Sequence, residues 1–114
     1  MAFDEFLAGR IRDTLARRKN VEEKRMFGGV GFLLNGHLLV AVRKDSLLVR
    51  LGPEAGERAL SEPHVTTFKI TGRGTMTGWV VVDIEGVESG DQLKEWVRRA
   101  VNFVTTLPRK QKDE

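Results

Sequence analysis

The chain has no cysteine, no tyrosine and only three prolines among its 114 residues. Without cysteine it can form no disulfide, no thiolate nucleophile and no cysteine-ligated metal site, and such a composition is typical of a cytosolic protein. No run approaches the roughly 20 apolar residues that a membrane-spanning helix needs. The first residues lack the basic-then-apolar pattern of a secretion signal. We therefore expect a cytoplasmic protein without disulfides.

Residues that commonly carry catalysis are also scarce. There are only three serines, and none lies in a G-x-S-x-G pattern, so no nucleophilic site is indicated. The two histidines, His37 and His64, have no metal-ligand spacing around them. We expect no catalytic residue, no metal and no cofactor.

One glycine-rich segment, residues 71–78, leaves an alternative open. It matches neither common phosphate-binding pattern, and no predicted helix follows it. We interpret it as a loop between two strands. If it binds a small anion or another ligand, Arg73 is the residue that would hold it.

Basic residues exceed acidic ones by 19 to 16, which gives a net charge of +3. The bases form short clusters at predicted helix ends, where cations complement the helix dipole. Nucleic-acid-binding proteins usually gather such charge on one stripe. Direct nucleic-acid binding is therefore the alternative function, and it would use Arg17, Arg18, Lys19, Arg98, Arg99, Arg109 and Lys110.

Hydrophobic periodicity predicts a single domain over residues 1–108, followed by a polar tail over 109–114. The predicted elements are a helix over 2–19, strands over 26–34, 37–43 and 46–51, a helix over 53–60, strands over 65–70 and 79–84, and a last helix between Ser89 and Pro108. This order, α-β-β-β-α-β-β-α, is typical of a two-layer α+β domain. We expect an antiparallel sheet of about five strands with the helices packed on one face.

The strongest local signal is Asn35-Gly36 between two apolar runs. This pair favours a two-residue type I′ turn, because both central residues must adopt positive φ. A continuous register from that turn pairs Leu33 with Leu38 and Gly31 with Val40. Two faces of the sheet then follow from the alternation of side chains along each strand.

On this register the first face is entirely apolar and is expected to be the core: Leu33, Leu38, Val40, Val42, Leu47, Val49 and Leu51. The second face has an apolar centre rimmed by bases, as in many partner or dimer surfaces. Its candidate partner-binding residues are Phe32, His37, Leu39, Ala41, Arg43, Leu48 and Arg50. Aspartate at Phe32 or Leu39 is expected to leave the fold intact and to abolish binding.

Several short motifs occur in the order found in one known family, over about residues 14–105. They are Arg25-Met26-Phe27-Gly28-Gly29-x-Gly31, Asn35-Gly36, Ser61-Glu62-Pro63, Gly72-Arg73-x-x-Met76-x-Gly78-Trp79 and Leu93-x-x-Trp96-Val97-x-x-Ala100. On these motifs the chain resembles the N-terminal domain of the TfoX/Sxy competence regulators. It departs from them by lacking the second, helical domain of complete members and the aromatic residues of their second and third strands.

The resemblance implies a two-layer α+β fold and a non-enzymatic role in bacterial gene regulation. TfoX/Sxy proteins are linked to the induction of competence genes together with a transcription factor. We therefore expect a regulatory or adaptor domain that acts by protein–protein interaction. A transcription factor or a second copy of the chain is the expected partner, and no membrane is involved.

Overall fold

The computed structural model describes residues 4–26, 28–70, 72 and 74–108. The strands are β1 (Val21–Met26), β2 (Gly29–Leu34), β3 (His37–Arg43), β4 (Ser46–Arg50), β5 (Val65–Ile70) and β6 (Gly74–Val82). The helices are α1 (Glu5–Thr14), α2 (Pro53–Ala59), a short 3₁₀ helix (Ile84–Val87) and α3 (Gly90–Val104). No helix of the described part is long and apolar enough to cross a membrane.

All six strands belong to one antiparallel sheet, in the order β1-β2-β3-β4-β6-β5. The turn at Asn35 and Gly36 has φ values of 55° and 85°, as expected for the two-residue hairpin between β2 and β3. The chain then leaves the sheet through α2 and returns as β5, so that β6 pairs with β4. The predicted α+β class with an antiparallel sheet is confirmed.

The helices lie on one side of the sheet, which we call the helix face. α3 packs on β3 and β4, α1 packs beside α3, and α2 packs on β6. At the last contact the backbone of Gly78 closely approaches Gly56, where an added Cβ would lie 3.1 Å from the Gly78 Cα. The core between the two layers contains Phe32, Val40, Val49 and Val80, which form one row across four strands.

The predicted register is right next to the hairpin and wrong further along. Leu33 pairs with Leu38 as expected, but Phe32 pairs with Val40, so that Leu39 is an extra residue in β3. Beyond such a β-bulge, each residue of the strand points to the side of the sheet opposite to the one that a continuous register predicts. The continuous register was therefore wrong: Phe32 moves to the core and Gly31 to the other face.

Several elements also differ from the prediction, and the strand predicted over 26–34 begins only at Gly29, because Met26 ends a preceding strand. α1 ends at Thr14 rather than at residue 19, and 3₁₀-type backbone bonds follow, from Ala16 to Asp13 and from Arg18 to Leu15. The first strand of the sheet, β1, was not predicted because its sequence VEEKRM shows no apolar alternation. Charges of this kind protect an edge strand from pairing with other chains. Finally, β6 begins at Gly74, inside the segment predicted as a loop.

Candidate functional site

The side of the sheet opposite the helices is covered by none of the described helices, and we call it the open face. Its members follow from the cross-strand pairs, because directly paired residues point to the same side. One row crosses all six strands: Lys24, Gly31, Ala41, Leu48, Val81 and Thr66. The neighbouring positions add Leu33, Leu38, Arg43, Arg50, Trp79 and Phe68.

The centre of the open face is apolar and well shielded. Ala41 is 3% exposed and Leu48 is 5% exposed, although neither belongs to the core between sheet and helices. Val81 beside them is half-buried. None of the described helices covers this side, and neighbouring side chains on the sheet can shield Ala41 and Leu48.

Arg43 is one of those neighbours. Its guanidinium carbon lies 5.5 Å from the centre of the Phe68 ring. β3 and β5 are separated by β4 and β6, a distance of about 14 Å at the usual strand spacing. The Arg43 side chain therefore extends across the open face, and its stem lies over the apolar centre.

Arg50 lies at the end of β4 between two aromatic rings. Its guanidinium carbon is 5.2 Å from the centre of the Trp79 ring, opposite it in the sheet, and 5.7 Å from that of Phe103 in α3. Partial burial lowers the pKa of Arg50 from its usual value, because the charged form loses hydration. Arg50 remains a cation at neutral pH, since arginine is almost always protonated in proteins.

Neither arginine is paired with a carboxylate of the described residues, unlike three arginines of the helices. Arg12 forms a two-bond pair with Glu23, Arg98 forms one with Glu95, and Arg99 binds Glu62 at 2.7 Å. These helical guanidinium groups are already occupied. The open face thus combines an apolar centre with two cations that no described carboxylate pairs: Arg43 lies across the face, and Arg50 lies at the end of the sheet, where its guanidinium also contacts Phe103 of α3.

With this geometry established, comparison with known proteins identifies the family. Residues 13–104 match the family model of the TfoX N-terminal domain. The chain belongs to this family. No curated protein and no solved structure gives a significant match.

The matched residues of this TfoX N-terminal domain include all six strands, α2 and α3, and therefore the whole open face. The resemblance predicted from motifs over about residues 14–105 is confirmed. The family is competence-regulator-like and regulatory rather than catalytic. Its name supplies no binding residues, so the site rests on the geometry described above.

The structure separates the seven predicted partner-binding residues into two groups. Ala41, Arg43, Leu48 and Arg50 lie together on the open face. Phe32 and Leu39 are buried in the core at 1% and 0% exposure, because the bulge reverses their expected direction. His37 lies on the helical side, where its Nε2 atom is 2.7 Å from the carbonyl oxygen of Pro108.

Sequence reasoning missed the aromatic part of this TfoX domain surface. Trp79 alternates along β6 with the core residues Val80 and Val82, but its cross-strand partner Arg50 cannot be identified from the sequence. Phe68 had no such signal, because it lies where the register of β5 and β6 shifts. A cation paired with an aromatic ring on a strand that lies two intervening strands away leaves no local pattern in the sequence.

The residues of the nucleic-acid alternative are dispersed. Arg17, Arg18 and Lys19 are exposed in the segment after α1. Arg98 and Arg99 lie on α3 and are tied to acidic residues. Arg109 and Lys110 of the predicted tail lie outside the described residues, as does Arg73 of the anion alternative.

Two further features gather polar side chains at the surface. A cleft of about 720 Å³ separates α2 from α3, but Arg98 and Arg99 at its rim already bind carboxylates. His64, Asp83 and Glu85 come together at one end of the sheet, with ligand atoms within 4.8 Å of one another. All three are exposed, and the His64 Nδ1 atom already contacts the Asp83 carboxylate at 3.2 Å. These three residues could offer ligands to a metal, but nothing else at the site indicates one.

Proposed function

We propose that this chain is a non-enzymatic regulatory domain that recruits another protein through its open face. In this proposal it acts in the bacterial cytoplasm, and the partner is a protein of gene regulation such as a transcription factor. The family match supports the regulatory class. The absence of cysteine supports the compartment.

One observation carries the proposal: the apolar centre of the open face is flanked by two arginines that bind no carboxylate of the described chain. Apolar centres with polar rims are the usual anatomy of protein–protein interfaces, and arginine and tryptophan are enriched in them. On the open face Leu48 and Val81 form such a centre, and Arg43, Arg50 and Trp79 form the rim.

The test is comparative capture of partners from a bacterial lysate with two matched variants. Val81→Lys places a charge in the half-buried centre, whereas Glu57→Lys introduces the same residue at an exposed position of α2. Thermal unfolding monitored by circular dichroism establishes that both variants fold. Mass spectrometry should then find proteins retained by the unmodified chain and by Glu57→Lys but lost from Val81→Lys.

Two results would contradict the proposal. One is an identical set of captured proteins for Val81→Lys and Glu57→Lys. The other is a sedimentation experiment showing that the purified chain dimerises and that only Val81→Lys is monomeric. In that case the open face would be covered by a second copy of the chain instead of another protein.

A further inference from the structure

The guanidinium groups of Arg43 and Arg50 are placed so that they favour a carboxylate ligand. Each guanidinium carbon lies over an aromatic ring, that of Arg43 over Phe68 and that of Arg50 over Trp79 with Phe103 also nearby, and such contacts restrict its rotation. The N–H groups along the edge of the plane remain available, since no described carboxylate accepts from them. Such an edge binds a carboxylate through two parallel hydrogen bonds.

Nucleic acid fits the open face less well. Proteins that bind single-stranded nucleic acid on a sheet stack the bases on exposed aromatic rings. Here Phe68 and Trp79 each already carry a guanidinium group. Beside them on β6, β4 and β3 lie the aliphatic side chains of Val81, Leu48 and Ala41, which suit the apolar side chains of a peptide.

We propose that the open face binds an extended acidic segment of the partner protein. Its carboxylates pair with Arg43 and Arg50, and an apolar side chain between them packs on the half-buried Val81 and on the stem of Arg43. Alternate residues of an extended segment point to the same side, so the motif is acidic, spacer, apolar, spacer, acidic. This inference rests on the proposed function and specifies the chemistry of the partner.

The probe is a synthetic peptide of the pattern Asp-Ser-Leu-Ser-Asp, compared with Asn-Ser-Leu-Ser-Asn and with oligothymidylate. Binding is followed by heteronuclear NMR of the full chain and by the salt dependence of the affinity. The variants are Arg43→Gln and Arg50→Gln. Arg58→Gln is the matched control, because it removes one exposed arginine of α2 and leaves the open face intact.

The acidic peptide is expected to shift resonances of the open face and to bind about tenfold or more tightly than its amide counterpart, as for charge-assisted hydrogen bonds. Each open-face variant should lose most of that preference, whereas Arg58→Gln should retain it. Arg43→Lys and Arg50→Lys should recover only part of it, because lysine keeps the charge without the planar donor edge.

Equal binding of the two peptides, or none by either, overturns the inference. So does binding of oligothymidylate that Arg43→Gln or Arg50→Gln abolishes. The proposed function fails separately, because it is tested by partner capture with Val81→Lys. Partner loss in that variant, without any preference for the acidic peptide, would leave the adaptor function standing with a partner of different chemistry.

Discussion

Phe32 lies opposite Val40 in the sheet, whereas its neighbour Leu33 lies opposite Leu38. The extra residue, Leu39, is fully buried, and Phe32 is 1% exposed. This single bulge therefore sends the largest side chain of β2 into the core. It also moves Phe32 away from the open face, where an uninterrupted hairpin would have placed it.

Phe32→Ala is expected to destabilise the fold by about 3–5 kcal/mol, because a large buried ring is lost and a cavity is left. Phe32→Asp should leave the chain unfolded, since it adds an unpaired buried charge. Leu33→Ala is the control, because Leu33 is only half-buried on the open face. Urea unfolding measures both alanine variants. Equal losses of stability would show that the bulge is misplaced.

Gly29→Ala tests the close approach of two strands. A Cβ at Gly29 would overlap the backbone carbonyl oxygen of Val42, so the sheet must distort to accept it. We expect a loss of about 2 kcal/mol or more, in the range of overpacked cores. Gly90→Ala adds the same methyl group at the start of α3, where no atom lies within 4 Å. Gly90→Ala should be neutral or stabilising by up to about 1 kcal/mol. Thermal unfolding measures both variants. A comparable loss of stability in Gly29→Ala and Gly90→Ala would contradict the close approach at Gly29.

The Glu95 carboxylate predicts a specific acid dependence of stability. Hydrogen bonds from Arg98, followed by those from Arg99, lower the pKa of Glu95 to about 2. The pKa of Glu95 in the folded state lies below its unfolded value of about 4.3. Its ion pairs therefore stabilise the fold fully above about pH 4.3, and this stabilisation is lost as the pH falls through about 2. Because Glu95 is 42% exposed, the contribution should stay below about 1 kcal/mol.

Glu95→Gln should therefore lower stability at about pH 7 and match the unmodified chain near pH 2, when urea unfolding is repeated across this range. Glu57→Gln is the control, an exposed glutamate of α2 with no ion pair to any described residue. A stability difference between Glu95→Gln and the unmodified chain that stays constant down to pH 2 would show that the ion pairs with Arg98 and Arg99 do not cause it.

Local sequence signals predicted most of the elements, because they depend on neighbouring residues alone. Asn35 and Gly36 form the expected turn, and the predicted last helix is present as α3. Its capping box of Ser89 and Gln92 and its buried apolar stripe depend on residues three or four positions apart. β1 was not predicted because this edge strand is rich in charged residues and shows no apolar alternation. The end of α1 was predicted too late because the backbone hydrogen bonds change to the 3₁₀ type after Thr14.

The candidate site was only partly predictable, for a different reason. Arg43, Arg50, Ala41 and Leu48 share a face because β3 and β4 pair without a shift of register, so alternation was sufficient to group them. Phe68 and Trp79 join them only because β6 returns to pair with β4 and β5 pairs outside it. That order of strands brings together residues that are far apart along the chain.

The sequence by itself determined the class of fold, the family and the alternation of apolar and polar side chains along the strands. Tertiary structure decided to which side of the sheet the side chains of β2 and β3 point on either side of the bulge. The physical reason is that one extra residue in a strand reverses its remaining side chains at little cost to local propensity. Only packing against helices and neighbouring strands selects between the two arrangements.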